Sequence, residues 1–425
     1  MENKVERFNL TEDQQIGLDK MLAFTESDEK LFLLTGFAGS GKSTLLKRFL
    51  DLYMGKVMQT APTHKSAKVI RDITGDQTAR TIHSALALKP KRVKWNEWKL
   101  IQTLSRKTDN MQGVEIVVVD EGFMLDTEML GFIVGDIESS NRKYIIIGDM
   151  NQLTPVNEDY SPLMDIEVNH RLTKVVRQTE NSPILRAANV LRQCIENGES
   201  MDPKRLEYFG NEHGRISKMP RMEFIREIHR QQFLHSDDNI VITWTNDNSQ
   251  LFNGHISKYF NKREHTSFEV GDDIIFNAVL LENDDILINN GYEDTIVDIR
   301  DGIIDKDDIY IEYKKITLEN DETPIRILEG EWKDALERKL NQLKKIAIER
   351  KGSWHDFYML QEMFADIRFK YSCTSYKSQG SDYENVFIDG RELLRLESMS
   401  GNEAMLRHFY VAITRARKNC YITYG

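Results

Sequence analysis

Short apolar runs alternate with amphipathic stretches along most of this chain. The runs at 31–35, 57–60, 114–119 and 144–147 are rich in branched side chains and only a few residues long, as buried strands are. Between the first two, Leu45, Leu46, Phe49, Leu50 and Tyr53 recur at helical spacing, and 65–73 reads as another helix. Ahead of them, 9–24 (NLTEDQQIGLDKMLAF) reads as a capped helix, with Thr11 as N-cap, Gln14 at the third helical position, and Ile16, Met21 and Leu22 among its apolar positions. Such alternation predicts a parallel sheet with helices on both faces, an architecture whose ligands gather at the carboxyl ends of the strands.

Beyond residue 170 the alternation starts again and predicts a second sheet. A helix is expected through 184–191, a strand at 240–244 and a helix at 248–260. From 269 the style changes to EVGDDIIFNAVLLEND, INNGYEDTIVDIR and DIYIEYKKITL: short alternating strands with Asn-Gly and Asp-rich turns, as in a small antiparallel barrel. An amphipathic helix over 331–351 follows, which reads as a solvated helix packed on that barrel. At 367–372 the α/β style returns, and the chain ends in a helix over 403–413, the segment TRARK and a strand at 420–424.

At 425 residues the chain calls for two to four domains. An apolar fraction of 40% beside 29% charged residues is that of a globular protein, with no run suited to a bilayer. The polar start, MENKVERFNLTEDQQ, does not read as a signal peptide, so the cytoplasm is the expected location. Cys194, Cys373 and Cys420 form no C-x-x-C pair, which argues against structural zinc or a disulfide framework. The net charge of -11 would discourage a nucleic-acid partner, but 89–107 carries seven basic residues against the single acid Glu97, with Trp95 and Trp98 among them. Those tryptophans could stack on bases or simply pack within a small inserted subdomain.

The candidate chemistry sits where strands end. In GFAGSGKST the pattern G-x-x-x-x-G-K-[ST] is met by Gly36, Gly41, Lys42 and Ser43, with Ala38, Gly39, Ser40 and Thr44 completing a loop between strand and helix. Loop N–H groups in such a turn cradle phosphates, the lysine reaches the β and γ phosphates, and the serine ligates Mg²⁺. Asp120 and Glu121 follow an apolar strand, as expected of a pair that holds Mg²⁺ through a water and activates the attacking water. Gln152, in GDMNQLTPV, either touches a γ-phosphate or belongs to an ordinary turn. Thr63, His64 and Lys65 begin a helix and suit a nucleic-acid phosphate, although a lone His64 is an ordinary surface histidine just as well. Arg415 likewise reads on its own as a surface charge near a helix end.

Together these pieces resemble the superfamily 1 DNA helicases, most closely the 5′ to 3′ branch of RecD-like and T4-type phage Dda-like enzymes. The residues that carry the resemblance, in order, are LTEDQ, GFAGSGKST, APTHKSAK, TIHSAL, VVVDEGF, GDMNQLTPV, VVRQTENSPI, VGDDIIF with INNG, TSYKSQG and FYVAITRARK. The resemblance implies an α/β fold of two RecA-like P-loop domains with parallel sheets, plus a wedge insertion and an SH3-like β-barrel insertion. Its implied boundaries are 1–86 with 114–172 for the ATP-binding domain, 87–113 for the wedge, 173–267 with 366–425 for the second RecA-like domain, and 268–365 for the barrel with a helical extension.

The resemblance also implies roles. Gln14 would read adenine, Lys42 and Ser43 would serve the phosphates and Mg²⁺, Asp120 the Mg²⁺, Glu121 the general base and Gln152 the γ-phosphate. Arg177 and Arg415 would reach the phosphates from the second domain, and Gly380 would join the nucleotide site. DNA contacts would be Thr63, His64, Lys65, Thr81 and His83, with Ser375, Lys377 and Gln379, and Trp95 or Trp98 would separate the strands. Tyr376 stands where the family commonly has histidine, which puts any role of that imidazole in doubt. The implied activity is ATP-driven 5′ to 3′ translocation on single-stranded DNA with unwinding of duplex or forked DNA. The implied setting is a monomer in phage replication or recombination, beside a single-strand-binding protein and away from membranes. An RNA-remodelling relative and a nucleotide-switched binding module without translocation are the competing readings.

Overall fold

The computed structural model describes residues 10–94, 97–102, 111–156, 158, 160–174, 181–231, 238–261, 267–282, 285–288, 290–306, 309–321, 323–349 and 354–425, with backbone only at 90–94, 97–98, 261, 281–282, 285–286, 306 and 309. The chain forms two compact units. One comprises Met1–Leu88, Gln102–Met219 and Ser378–Gly425, the other Lys89–Ile101 and Pro220–Lys377.

The first unit contains a six-stranded parallel sheet in the order Arg80–Thr81, Val57–Ala61, Ile116–Val119, Lys143–Gly148, Leu31–Gly36, His170–Leu172. Its central strands are apolar throughout because both faces are covered: Phe32, Leu33, Leu34, Val117, Val118, Ile145 and Ile146 are all buried. On one face, Leu18, Met21 and Phe24 of helix Glu12–Glu26 pack with Leu45, Leu46 and Phe49 of helix Lys42–Leu52. Each such side chain contributes about 1.5–3 kcal/mol by leaving water. The expected capping box is present: the Thr11 hydroxyl accepts the Gln14 N–H at 3.2 Å and Gln14 Oε1 accepts the Thr11 N–H at 3.0 Å. At the other end of the helix, Lys143 Nζ donates to the carbonyls of Phe24, Thr25 and Ser27, a cation where the helix dipole favours one.

Four further strands of this unit lie in the order Tyr383–Asp389, Ala416–Thr423, Gly214–Met219, Gly210–Asn211, parallel except for the last pair. Helix Pro183–Asn197 packs against helix Leu396–Thr414. The latter is two helices joined at Gly401, whose φ of 87° and ψ of 168° are not helical, and the part beyond the kink agrees with the expected 403–413.

In the second unit, Asn239–Thr243 pairs in parallel with Ser372–Thr374, and helix Asn246–Asn261 follows the first of these strands. Of the antiparallel strands expected after 269, four join Ile367–Phe369 in one sheet, in the order Ile325–Ile327, Ile309–Leu318, Glu293–Lys306, Asp273–Phe276, Ile367–Phe369, while Leu280–Glu282 and Asp285–Ile288 pair as a separate hairpin. A single bridge between Ile327 and Ala365 brings its two edges towards closure. Two differences from the sequence pattern have physical causes. Glu293–Lys306, 14 residues, is longer than the short strands expected here: Gly302 faces Tyr313 across the ladder, where a Cβ would lie 2.4 Å from the ring, so the glycine makes room for the ring and the strand runs on. Residues 367–372 read as one strand of the returning α/β pattern but divide, because Ile367–Phe369 pairs antiparallel with Asp273–Phe276 and only Ser372–Thr374 joins the parallel pair. Helix Glu331–Glu349 is where the pattern puts it, and Leu88–Lys94 and Glu97–Gln102 form a two-stranded sheet of their own. Among the described residues no helix is long and apolar enough to cross a membrane.

Asp136, 7% exposed, accepts bonds from Arg142 Nη1 at 2.6 Å and from the Tyr144 hydroxyl at 2.7 Å. Asp136→Ala leaves both donors without their carboxylate and is expected to cost about 3–5 kcal/mol. A lowered urea midpoint for the first unfolding transition checks this, and an unchanged midpoint would contradict it.

Candidate nucleotide site and its flanks

Parallel register brings the strand ends level. Leu31 pairs with Tyr144 through to Thr35 with Gly148, and Val57 with Ile116 through to Thr60 with Val119. The loops that follow Gly36, Ala61, Val119 and Gly148 therefore open at one edge of the sheet, where α/β proteins bind ligands.

The first loop turns through Gly39 and Gly41, at φ 83° and 86°, a conformation that favours glycine. Lys42 folds back so that Nζ donates to the carbonyls of Gly36 at 2.7 Å and Phe37 at 3.4 Å. Gln14 is 1% exposed, and its Nε2 donates to the Ser40 carbonyl at 3.3 Å, so it ties the loop to the first helix. Ser40 Oγ is buried and has no partner among the described residues. A Cβ on Gly36 would lie 2.5 Å from it. An orphaned hydroxyl inside a ring of loop amides fits a phosphate oxygen. Ser43 and Thr44 follow in the first turn of helix Lys42–Leu52, one hydroxyl and one nearby carboxylate being the kind of donor set Mg²⁺ takes alongside phosphates and water.

Asp120 and Glu121 follow Val119 as expected. Glu121 has φ 52°, a left-handed conformation that costs a non-glycine residue about 1–2 kcal/mol, and its N–H is accepted by Asp120 Oδ1 at 2.9 Å. Burial raises the pKa of both carboxyls. That of Glu121 is pushed up to about 7 by burial and then by Asp120, against the opposing pull of Arg415 and Lys42.

On the next loop, Gln152 is buried and its Oε1 accepts from Gln379 Nε2 at 3.3 Å. Gln379, expected among the DNA contacts, is thus itself buried, with its own Oε1 unpaired. Gly380, at φ 74°, packs so tightly on the start of helix His64–Thr74 that a Cβ would lie 2.1 Å from Ser66 Oγ. Arg415 is 5% exposed and donates to the carbonyls of Val411 and Ser381 and to Thr414 Oγ1, each at 3.2 Å.

The other expected contacts are partly engaged in local structure. Thr63 and Thr81 act as N-caps, accepting the N–H of Ser66 and Ser84. Lys65 Nζ donates to the Tyr383 hydroxyl at 2.5 Å. Burial lowers the pKa of His83, with His64 adding to the effect and Asp126 opposing it, which puts the two histidines and Asp126 in one neighbourhood. In the second unit Ser375 is fully buried, and Lys377, its pKa lowered mainly by burial, donates to Asn277 Oδ1. Arg177 and Trp95 lie outside the described residues, as does the side chain of Trp98.

Three residues the sequence reading passed over join the site. Asp149, 1% exposed, accepts the Tyr410 hydroxyl at 2.6 Å and the Asn151 N–H at 3.0 Å. Tyr410 also accepts the Ala38 N–H at 3.2 Å, and Arg407 Nη1 donates to the carbonyls of Met150 at 2.7 Å and Gln152 at 2.9 Å. Asp149 carries the same signal as Asp120, an acid just past an apolar strand; Arg407 and Tyr410 are marked only by sharing one helix face.

Known proteins resemble the chain in two parts. Residues 9–219 match the AAA domain family, and residues 369–423 match the UvrD-like helicase C-terminal domain. An uncharacterized protein, R530 of Acanthamoeba polyphaga mimivirus, is 26% identical over 95% of this chain and 97% of its own. The ATP-dependent RecD2 DNA helicase of Deinococcus radiodurans is 29% identical over 44% of this chain, which spans only 24% of that protein. In structure, Pif1 helicase from Bacteroides, solved with ADP-AlF3 and single-stranded DNA, superposes with a TM-score of 0.53 at 16% identity, covering 97% of this chain and 92% of that one. At that identity the likeness shows the fold, and the fold is the α/β one of parallel sheets flanked by helices found in the two-RecA-domain helicases.

The raised Glu121 pKa makes stability pH-dependent. The unfolded chain releases this proton near 4.5 and the folded chain near 7, so the folded chain holds more protons between them and stability falls as pH rises through that window. Glu121→Gln removes the effect. Thermal midpoints of the two proteins should coincide near pH 4.5 and diverge in favour of Glu121→Gln up to pH 7; parallel curves would contradict the shift.

Proposed function

We propose that the chain is an ATP-dependent DNA helicase of superfamily 1 that translocates 5′ to 3′ on single-stranded DNA and unwinds duplex ahead of it. The observation that carries the reading is the phosphate loop at 36–44 with Asp120, Glu121 and Arg415 in one electrostatic neighbourhood, since the charges of Lys42 and Arg415 both favour the ionised form of Glu121. In this reading 1–86 with 114–172 form the ATP-binding domain, 87–113 the wedge, 173–267 with 366–425 the second RecA-like domain, and 268–365 the barrel insertion.

Loop amides from Gly39 to Thr44 hold the ATP phosphates, the Ala38 N–H being taken by Tyr410, and Lys42 leaves its two carbonyl partners for the phosphates, exchanging neutral acceptors for charged ones. Ser43 and Asp120 would hold Mg²⁺, which would supply positive charge against the phosphates. Glu121 takes a proton from the attacking water, Gln152 orients the γ-phosphate, and Arg415 with Arg177 neutralises the charge that develops on it. Gln14 borders the adenine side, and Gly380 lets its strand-end turn approach the ATP-binding sheet. Thr63, His64, Lys65, Thr81 and His83, with Ser375, Lys377 and Gln379, line the path of the DNA, and Trp95 or Trp98 parts the strands. A monomer working in the cytoplasm of a phage-infected cell, in replication or recombination and beside a single-strand-binding protein, fits the Dda-like resemblance.

The test is strand displacement with ATP and Mg²⁺ on matched DNA and RNA duplexes carrying a 5′ or a 3′ tail. Displacement from 5′-tailed DNA alone is expected. Release from 3′-tailed or RNA substrates would replace the polarity or the sugar, and DNA-stimulated hydrolysis without any displacement would favour a nucleotide-switched binding module. Lys42→Ala is expected to abolish turnover, Glu121→Gln to leave ATP bound but uncleaved, and Arg415→Ala to slow hydrolysis by about 10³ with little change in affinity. Equal rates in Arg415→Ala and wild type would remove that assignment.

A further inference from the structure

The fourth strand-end loop and the C-terminal helix meet through a group that no role above uses. The Tyr410 hydroxyl is 1% exposed, donates its one proton to Asp149 Oδ2 at 2.6 Å and takes the Ala38 N–H on a lone pair at 3.2 Å. This three-point arrangement needs a neutral phenol, and burial and the neighbouring Asp149 both raise the Tyr410 pKa and keep it so. Asp149 in turn fixes its own loop, since Oδ1 accepts the Asn151 N–H and its carbonyl accepts the Gln152 N–H at 3.1 Å.

One helical turn before Tyr410, Arg407 grips the same loop from outside, with Nη1 on the Met150 and Gln152 carbonyls and its other edge on Glu403 at 2.8–3.0 Å. Positions 403, 407 and 410 share one helix face. Five residues after Tyr410 the same helix is capped by Arg415. A shift of the Ala38 amide therefore reaches Arg415 along one rigid element, and the Gln152 side chain through one carboxylate.

We propose that Tyr410 is a positioning residue of the nucleotide site, whose hydroxyl ties the phosphate-loop amide of Ala38 to Asp149 and so sets Gln152 and Arg415 against the bound triphosphate. The tie rests on the helicase reading for its consequence and on geometry alone for its existence. It acts within the site, touching the loop that holds phosphate without itself being a donor to phosphate.

The full chain is assayed as wild type, Tyr410→Phe, Asp149→Asn and the double variant, by steady-state ATP hydrolysis with a single-stranded oligonucleotide, by binding of a fluorescent ADP analogue and by thermal unfolding. Losing one buried bond to a carboxylate should lower kcat in Tyr410→Phe by about tenfold. KM for ATP should move by less than about threefold, the dissociation constant of the ADP analogue should rise measurably, and the thermal midpoint should hold within a few degrees. The double variant should lose no more than the worse single one, because both remove the same contact. Wild-type kcat and ADP affinity in Tyr410→Phe, or fully additive losses in the double variant, would overturn the tie. If wild type binds the ADP analogue without turnover, the helicase reading fails instead. The tie is then judged by ADP affinity: weakened binding in Tyr410→Phe supports it and unchanged binding overturns it.

Discussion

The level register of the central parallel strands is the constraint on which the rest of the site depends. Because Thr35 sits opposite Gly148, and Thr60 opposite Val119, the phosphate loop, the Thr63 helix start, the Asp120–Glu121 pair and the 149–152 loop all leave the sheet at one level. That convergence imposes close approaches that only certain residues tolerate. A Cβ on Gly122 would stand 2.2 Å from Ile146 Cγ2, and one on Gly148 2.7 Å from the Phe123 ring. The left-handed Glu121 is the corollary: the chain has to turn away from Val119 at once so that Gly122 can pass beside the neighbouring strand. The cost of that backbone falls on the residue read as the general base, and the burial of the surrounding sheet holds it there.

Charge at this edge follows local geometry rather than the composition of the whole chain. The net charge of -11 describes a surface, whereas the strand ends gather the acids Asp120, Glu121 and Asp149 within reach of Lys42 and Arg415. Burial first, and then the neighbouring Asp120 carboxyl, disfavour the ionised form of Glu121 and raise its pKa. The same mutual repulsion makes the pocket receptive to a divalent cation, whose charge would lower both pKa values at once. An acid poised near neutrality is also suited to accept a proton from water.

Features legible in the sequence are those whose partners lie close along the chain. The capping box at Thr11 and Gln14, the glycines at 39 and 41, the lysine after them and the acids past Val119 are all local patterns, and each has its expected backbone setting. The strand period located four of the six strands of the first sheet and missed the short edge strands Arg80–Thr81 and His170–Leu172. What periodicity could not carry were contacts between residues far apart: Ala38 with Tyr410, Asp149 with Tyr410, Gln152 with Gln379 and Ser66 with Gly380. Local chemistry also competes with the roles that resemblance implies. Thr63 and Thr81 hydroxyls cap their helices, and an N-cap loses about 1 kcal/mol when its side chain is removed, so either residue has a structural reason to be present beside any contact with nucleic acid. Residues 367–369 show the opposite limit, an apolar alternation equally suited to a parallel or an antiparallel neighbour, with Asp273–Phe276 as the partner that decides.

The contacts of the C-terminal helix differ in kind along its length, and the difference bears on how it could move. Arg407 holds the 149–152 loop through backbone carbonyls, acceptors that persist whatever side chains the loop carries. Tyr410 holds it through a buried carboxylate, a stronger and more directional bond. Arg415, at the end of the helix, has among the described residues the neutral acceptors Val411, Ser381 and Thr414. A guanidinium so held has no carboxylate to give up before meeting an anionic oxygen, where an ion pair would replace contacts between a cation and neutral oxygens. The middle of the helix and the arginine at its end thus differ in what holds them, a buried carboxylate at Tyr410 and neutral oxygens at Arg415.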